Sequence, residues 1–430
     1  MKSKHTLEYK FRPAIFLLLC VFSLMTCVSK DRIRLPNAKP SPHSELVKMR
    51  NLTLERKSTG ICFNQSKRYQ KRHITIVLLR GTPYEMGYAR GVLLKNEVRE
   101  WVKECLYMIR THRLALFGGE KWMYNRAKQV ETYIPSEYRE ELHGLSAGSG
   151  IAYDTLLMLN VLETIARGLE CTSIAVIGPD GKLLRSRNLD HQDIALLRPW
   201  ILVIYQPNQG HAFASISTPG FIGLWTGINK RGLTFGTHGI NGAEPSWLGI
   251  PAGMLNRRIV QYASTIEEAG RILENSPRAQ PKMFMVSSSN DAGIYEYDSG
   301  RVAFKGMEGR YLILTNHTQR LKLSSKYPHS IVRFDQAEYF LTRNKMDIRG
   351  LVELNRLDSI SWLSHPYCRN LHAAIFRAEN LNFWIALEPP PAVRKRWVGF
   401  NLRRELYGKG EEPSPIIIPA MSDVTEHRYF

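Results

Sequence analysis

What this chain lacks narrows its class before any motif is read. It has no pair of cysteines at CxxC spacing, which argues against a zinc ribbon or a thioredoxin-like redox site. Of its six cysteines, Cys20 and Cys27 fall in an N-terminal apolar run, which leaves Cys62, Cys105, Cys171 and Cys368. There is no internal repeat and no low-complexity tract, so a solenoid or fibrous array is excluded. The apolar run from Ala14 to Val28 is shorter than the roughly 20 residues a membrane helix needs. Acidic residues are scarce, 39 against 59 Lys and Arg, for a formal net charge of +20. No nucleic-acid motif accompanies that charge, and nucleic acid is not an expected partner. A solvated basic surface, or one that touches anionic membranes, accounts for it.

What is present suits a folded, exported protein. Apolar residues make up 43% of the chain, enough for a sizeable core. Lys2, Lys4, Lys10 and Arg12 precede the apolar run, which reads residues 1–28 as an export signal. The chain is therefore expected to be secreted, periplasmic or in a lysosome-like lumen. Leu24-Met25-Thr26-Cys27 faintly resembles a lipobox, so a lipoprotein signal or an uncleaved anchor is the alternative. Residues 29–72 are polar, basic and Pro-containing, and read as a linker or loose arm. The first 75 residues hold 16 Lys and Arg against 4 Asp and Glu. Export permits a disulfide among Cys62, Cys105 and Cys368, and the sequence does not choose a pairing.

From 73 to 170 the pattern is one strand and then helices. Residues 73–79 alternate as a strand. Pro83 suits a helix's first turn, and Met86, Val92, Leu93, Val98 and Val102 recur at helical spacing. Gly87 and Gly91 either allow close helix packing or are tolerated helix glycines. After residue 171 strand-like runs dominate, interrupted by helical stretches near 251–275 and 329–354. This order is not a regular βαβ alternation, which argues against a doubly wound parallel sheet. The expected organisation is a helical cover at 73–170, a core at 171–392, and a tail at 393–430 packed on that core.

One stretch carries chemistry. Glu170-Cys171-Thr172-Ser173 opens a strand-like run, Pro179-Asp180-Gly181 turns it, and Ser186-Arg187-Asn188-Leu189-Asp190-His191 lies on the return. An Asp-Gly pair between two such runs signals a hairpin, which brings Cys171 close to Arg187 and Asp190. This Cys, with Arg sixteen and Asp nineteen positions on, resembles the N-terminal-nucleophile hydrolases of linear amides. The relevant branches are acid ceramidase with N-acylethanolamine amidase, choloylglycine hydrolase and penicillin acyltransferase. Gly223-Leu224-Trp225-Thr226-Gly227 is similar to the ceramidase side. Thr315-Asn316-His317 and Tyr367-Cys368-Arg369-Asn370 are similar to the acyltransferase side.

The resemblance, over about residues 74–392, implies an α+β fold: a four-layer αββα sandwich of two stacked antiparallel sheets with a helical N-terminal cover. It implies self-cleavage between Glu170 and Cys171, leaving two chains that stay bound. It makes Cys171 the nucleophile, with its α-amine as base, and gives Arg187, Asp190, Asn316 and Arg369 catalytic roles, with Arg377 as a rival to Arg369. Asn316 is the expected oxyanion donor, seconded by backbone from His238 to Asn241. Trp225 and Phe221 either line an acyl pocket or belong to the core. Glu170 before the Cys is not a signature of the family. No cofactor or metal is required. The expected activity is hydrolysis of, or acyl transfer from, a linear non-peptide amide, an N-acyl or lipid amide above all. A penicillin-type acylase, a bile-salt-like hydrolase, a papain-like thiol hydrolase with Cys171 internal and His372 or His238 as base, and a non-catalytic acyl-amide-binding envelope protein are the alternatives.

Overall fold

The computed structural model describes residues 60–111, 118–164, 169–191, 199–240, 245–323, 328–361, 369–387 and 390–414, with Asn37, the backbone of 54–57 and Ile416. The expected leader, 1–28, lies outside them.

Strands begin earlier than the sequence pattern suggests. β1 (Leu54–Lys57), β2 (Gly60–Phe63) and β3 (Ser66–Lys71) form an antiparallel meander leading into β4 (Ile74–Gly81). The reading of 29–72 as a linker or arm is thereby corrected from Leu54 onward. These strands lie at the margin of a sheet, where Lys and Arg are tolerated and apolar alternation is not needed. Lys67, Arg68 and Lys71 are accordingly only half-buried.

The helix Pro83–Leu93 starts on a capping box. Thr82 Oγ1 accepts from the Glu85 amide at 3.3 Å, and the Glu85 carboxylate accepts from the Thr82 amide at 2.9 Å. It packs against the helix Ser136–Ser149 along a seam of glycines. A Cβ on Gly87 would come within 2.0 Å of the Glu141 carbonyl oxygen, and one on Gly144 within 2.1 Å of the Tyr84 carbonyl oxygen. Gly91 and Gly148 close the same seam. Close packing is therefore the reason for these glycines. Gly144→Ala gains up to about 1 kcal/mol of helix propensity but forces two backbones apart. A net loss of about 1–3 kcal/mol is expected, the usual cost of overpacking. It should be read as a lower urea midpoint of the full chain; an unchanged midpoint would refute the seam's importance.

The helices Lys95–Thr111, Gly119–Glu131 and Tyr153–Val161 continue the cover. Then come β5 (Leu169–Ile177), β6 (Leu183–His191), β7 (Ile201–Pro207), β8 (Phe213–Ser217), β9 (Thr226–Asn229) and β10 (Thr234–His238). Two helices, Ala252–Tyr262 and Ile266–Glu274, precede β11 (Lys282–Ser287), β12 (Ala292–Tyr297), β13 (Val302–Gly306) and β14 (Tyr311–Leu314). The helices Pro328–Arg343 and Ile348–Arg356 lead to β15 (Arg369–Arg377), β16 (Asn382–Leu387) and β17 (Val398–Asn401).

An 11-stranded sheet runs β1-β2-β3-β4-β7-β8-β9-β10-β11-β12-β13, and a six-stranded sheet runs β14-β5-β6-β15-β16-β17. Their pairings are antiparallel apart from β4 with β7, which is parallel. Ala175, Leu312 and Leu314 of the smaller sheet meet Met283, Met285 and Ile294 of the larger one. The smaller sheet's other face, with Ile174, Val176 and Ile375, packs on Ala337, Leu341 and Leu351 of the later helices. Phe284 and Val286 turn to the opposite face of the larger sheet, among Leu273, Ile259 and the N-terminal helices. The chain is thus an α+β fold of four layers, αββα, with the helical cover expected from its order of elements.

Candidate active site

The hairpin β5–β6 sets the site by strand alternation. Its ends pair Glu170 with Asp190, Cys171 with Leu189, Thr172 with Asn188 and Ser173 with Arg187. The turn closes where Gly178 and Lys182 share a 2.8 Å backbone bond around Pro179-Asp180-Gly181. Side chains on one strand alternate between faces. Cys171, Ser173, Arg187 and Leu189 therefore face the larger sheet, and Glu170, Thr172, Asn188 and Asp190 face the outer helices. Cys171 and Arg187 share a face, while Asp190 neighbours the Glu170–Cys171 peptide itself.

That peptide is held from several sides. The Cys171 amide donates to Asn316 Oδ1 at 2.7 Å. Arg333, from the helix Pro328–Arg343, donates through Nη1 to the Cys171 carbonyl at 2.5 Å and to Thr172 Oγ1 at 3.1 Å. Its Nη2 reaches Asn316 Oδ1 at 2.8 Å and pairs with the Glu170 carboxylate. Both partners of that ion pair are fully buried. Asn316 Nδ2 donates to the Gly239 carbonyl at 2.9 Å, and Ser330 Oγ accepts from the Asn316 amide at 2.7 Å. In the intact chain Asn316 thus grips the nitrogen of the peptide through Oδ1, while its Nδ2, the oxyanion donor expected from the sequence, is held by the Gly239 carbonyl.

Asp190 is buried and half-satisfied. Asn370 Nδ2 donates to its Oδ1 at 2.7 Å, and Oδ2 has no hydrogen-bond partner among the described residues. A β-bulge between Asn370 and His372 brings Asn370 opposite Asp190. Burial pushes the Asp190 carboxyl up to about 8, and the Glu170 charge adds to this, against Asn370, Arg333 and Arg187.

Arg187 lies between the sheets on neutral acceptors. Its Nη1 meets the Asn188 carbonyl at 2.9 Å and His238 Nε2 at 3.3 Å, and its Nη2 meets the Thr237 carbonyl at 2.5 Å. His238 Nδ1 is 2.9 Å from the Thr315 carbonyl, which can only accept, so Nδ1 carries the proton. Its Nε2 then accepts from Ser173 Oγ at 2.8 Å. Burial and Arg187 hold His238 well below the usual imidazole range, so it is neutral. His372 is kept neutral in the same way and bonds Thr226 Oγ1 at 2.9 Å. It stands in one row with Leu189 and Cys171, with Leu189 between them.

Phe221 and Trp225 are both buried, their rings stacked at 4.0 Å, with Trp200 at 5.3 Å from Trp225. Trp225 Nε1 donates to the Glu163 carboxylate at 2.8 Å, and the Gly253 amide donates to the same group. Lys282 is buried nearby. Burial lowers its ammonium below the ordinary value, opposed by the charges of Glu163 and Cys171. The cover holds this segment firmly. Arg90 reaches the carbonyls of Thr218, Pro219 and Phe221 at 2.6–2.8 Å, and Asn160 brackets Gly220 and Ile222 at 2.9 and 2.8 Å.

Asn241, Cys368 and the side chain of Arg369 lie outside the described residues; the Arg369 backbone pairs with His191. Cys62 is half-buried and Cys105 is buried in the main core. Among the described residues no cluster of His, Cys, Asp or Glu could hold a metal ion. Sequence reasoning missed Arg333, Glu163, Lys282 and Asn370. A signal for Arg333 was present: it falls on the buried stripe Ser330, Arg333, Ala337, Leu341 of an amphipathic helix. An arginine there is rarely buried without a partner.

The family model "Acyl-coenzyme A:6-aminopenicillanic acid acyl-transferase" matches residues 176–391, starting just past Cys171. Protein dcd1B of Dictyostelium discoideum is 29% identical over 259 residues, 52% of this chain and 50% of that protein. The acyl-coenzyme A:6-aminopenicillanic-acid-acyltransferase 40 kDa form of Emericella nidulans is 24% identical over 223 residues, 50% of this chain and 61% of its own. The solved N-acylethanolamine-hydrolyzing acid amidase ortholog of Caenorhabditis elegans is 15% identical, covering 48% of this chain and 93% of its own, with a TM-score of 0.39. The chain spans about half the length of the curated relatives it matches. With half of its residues matched by that model, the chain belongs to the acyl-coenzyme A:6-aminopenicillanic acid acyl-transferase family, within the N-terminal-nucleophile hydrolases.

Proposed function

We propose that this chain is a self-processing cysteine amidase that hydrolyses, or transfers the acyl group of, a linear non-peptide amide, with N-acyl and lipid amides as the substrate class. The observation that carries this reading is the Glu170–Cys171 peptide, gripped at its nitrogen by Asn316 and beside the half-satisfied Asp190. The Cys171 thiol attacks the Glu170 carbonyl carbon. The sulfur–carbon bond forms, the carbon–nitrogen bond breaks, and the thiol proton goes to the departing α-amine. Water then hydrolyses the thioester, giving a new carboxylate and a free Cys171. The α-amine has an ordinary pKa of about 7.7–8.0, and the thiol about 8.5. The new terminus therefore carries its own base at neutral pH. In this reading Asp190, opposite Glu170 in the ladder, receives the α-ammonium. An external amide enters the same cycle, with water or a second amine as acyl acceptor. The grip of Arg90 and Asn160 on 218–222 supports a cover that stays bound after cleavage.

Mass spectrometry of purified protein tests the first half. Two fragments are expected, the larger beginning at Cys171, and an intact chain with full activity overturns self-processing. Amine release from a series of N-acyl amides tests the second half. It should rise with acyl length, because each buried CH₂ contributes about 0.8 kcal/mol. Silence across the series overturns the amidase reading.

A further inference from the structure

We propose that Glu170 is a positioning residue for the chain's own cleavage: its carboxylate, docked on the buried Arg333 guanidinium, holds the scissile carbonyl in place for the Cys171 thiol. The inference rests on the self-processing reading above and assigns a role to a residue that the family pattern does not supply.

Alternation on β5 sends the Glu170 side chain to the face opposite Cys171. The electrophile is the Glu170 carbonyl, so whatever fixes the Glu170 side chain limits rotation of that carbonyl. The fixing group is Arg333, rooted in a helix of the outer layer. The same guanidinium holds the carbonyl of Cys171 at 2.5 Å, beyond the scissile bond. Its second nitrogen holds Asn316 Oδ1 at 2.8 Å, and that oxygen accepts the Cys171 amide at 2.7 Å. The bond is thus bracketed on its acyl side by Glu170, at its nitrogen by Asn316, and one carbonyl downstream by Arg333. All three attachments meet at one guanidinium.

A carboxylate that only neutralised Arg333 could come from any neighbouring element. Here it comes from the residue whose carbonyl is attacked, so the counter-charge belongs to the acyl group. Glu170 also stands directly opposite Asp190 in the ladder. Cleavage of the bond frees Glu170 from that pairing. The residue therefore aligns the bond before the acyl shift and is the acyl product of that shift once water has opened the thioester.

The test follows cleavage of freshly translated full-length chain by denaturing gel over time, for wild type, Glu170→Gln, Glu170→Asp and Glu170→Ala. Glu170→Gln keeps the shape and removes the charge, and should slow cleavage about tenfold or more, since small misplacements of a reacting group cost up to about 10²-fold. Glu170→Ala should be slower still, and added formate should restore part of its rate by supplying a carboxylate to Arg333. A purely structural role predicts no formate response in chain whose thermal midpoint is already that of the wild type. Should Glu170→Ala not fold, Glu170→Asp cleaving faster than Glu170→Gln supports the proposal. Cleavage of Glu170→Gln at the wild-type rate overturns it while leaving self-processing intact. A wild-type chain that never cleaves overturns both.

Discussion

Cys171→Ala is expected to remain a single chain on a denaturing gel and to lose amide hydrolysis by about 10⁴-fold or more, the scale of removing a covalent nucleophile. The fold should survive the change. Cys171 is buried in the main core, and losing one sulfur from a small side chain costs far less than emptying a large apolar site. Other hydroxyls lie beyond the Glu170–Cys171 bond. Ser173 Oγ is two residues on and donates to His238 Nε2, and Thr172 Oγ1 faces Arg333 on the far side of the strand. A thiol hydrolase that keeps Cys171 internal would also die with this change, so the wild-type gel decides between the two: only self-processing gives two chains. The internal-cysteine reading needs an imidazole base at the thiol. His372 is separated from Cys171 by Leu189, and His238 is committed to Ser173 and Arg187. A Cys171→Ala protein that is both cleaved and active would remove Cys171 from the chemistry altogether.

The β5–β6 hairpin was legible because two local rules agree there. Apolar alternation marks the strands, and Asp180-Gly181 marks the turn. The register then follows from the turn and puts Asp190 one residue pair and Arg187 two residue pairs from Cys171. The helix Pro83–Leu93 was legible for a similar reason, since Thr82, Pro83 and Glu85 all favour a helix start. The early strands were not, because β1 to β3 sit at a sheet margin whose charged residues erase the period-two pattern.

The site was half legible. Residues within one hairpin are fixed by local spacing, whereas Arg333 reaches β5 from 162 positions away and Asn370 reaches β6 from 180. Such contacts depend on how the layers stack. Asn370 depends further on a bulge, which shifts the alternation and cannot be read from periodicity. Phe221 and Trp225 could be read as pocket or as core. The structure buries both and ties Trp225 to Glu163. The Gly-rich segment around them is shaped by Arg90 and Asn160 of the cover, so its role involves both halves of the chain.

Asp190→Asn should move stability and activity in opposite directions. In the intact chain the Asp190 carboxyl is pushed up to about 8 from an ordinary 3.8, chiefly by burial. The folded chain therefore binds this proton more tightly than the unfolded chain does. Between about pH 4 and pH 8 the unfolded chain is ionised here and the folded chain is not, so stability falls as pH rises through that window. At about 1.4 kcal/mol per pH unit the loss amounts to several kcal/mol. Asparagine has nearly the same shape and no proton to lose. In the uncleaved Cys171→Ala background, Asp190→Asn should abolish most of the fall in urea midpoint between pH 5 and pH 8. An unchanged slope would show that another group titrates. Activity should suffer instead. Asn370 Nδ2 already donates to Oδ1 of Asp190, so an asparagine would turn its carbonyl there and its NH₂ toward the position of Oδ2. The new α-amine would then meet a donor where it needs an acceptor. In a chain that retains Cys171, the amidase rate should fall by about 10²–10⁴, the range lost when a catalytic base is not held in place. A processed Asp190→Asn enzyme with wild-type kcat would mean that the α-amine is oriented by some other group.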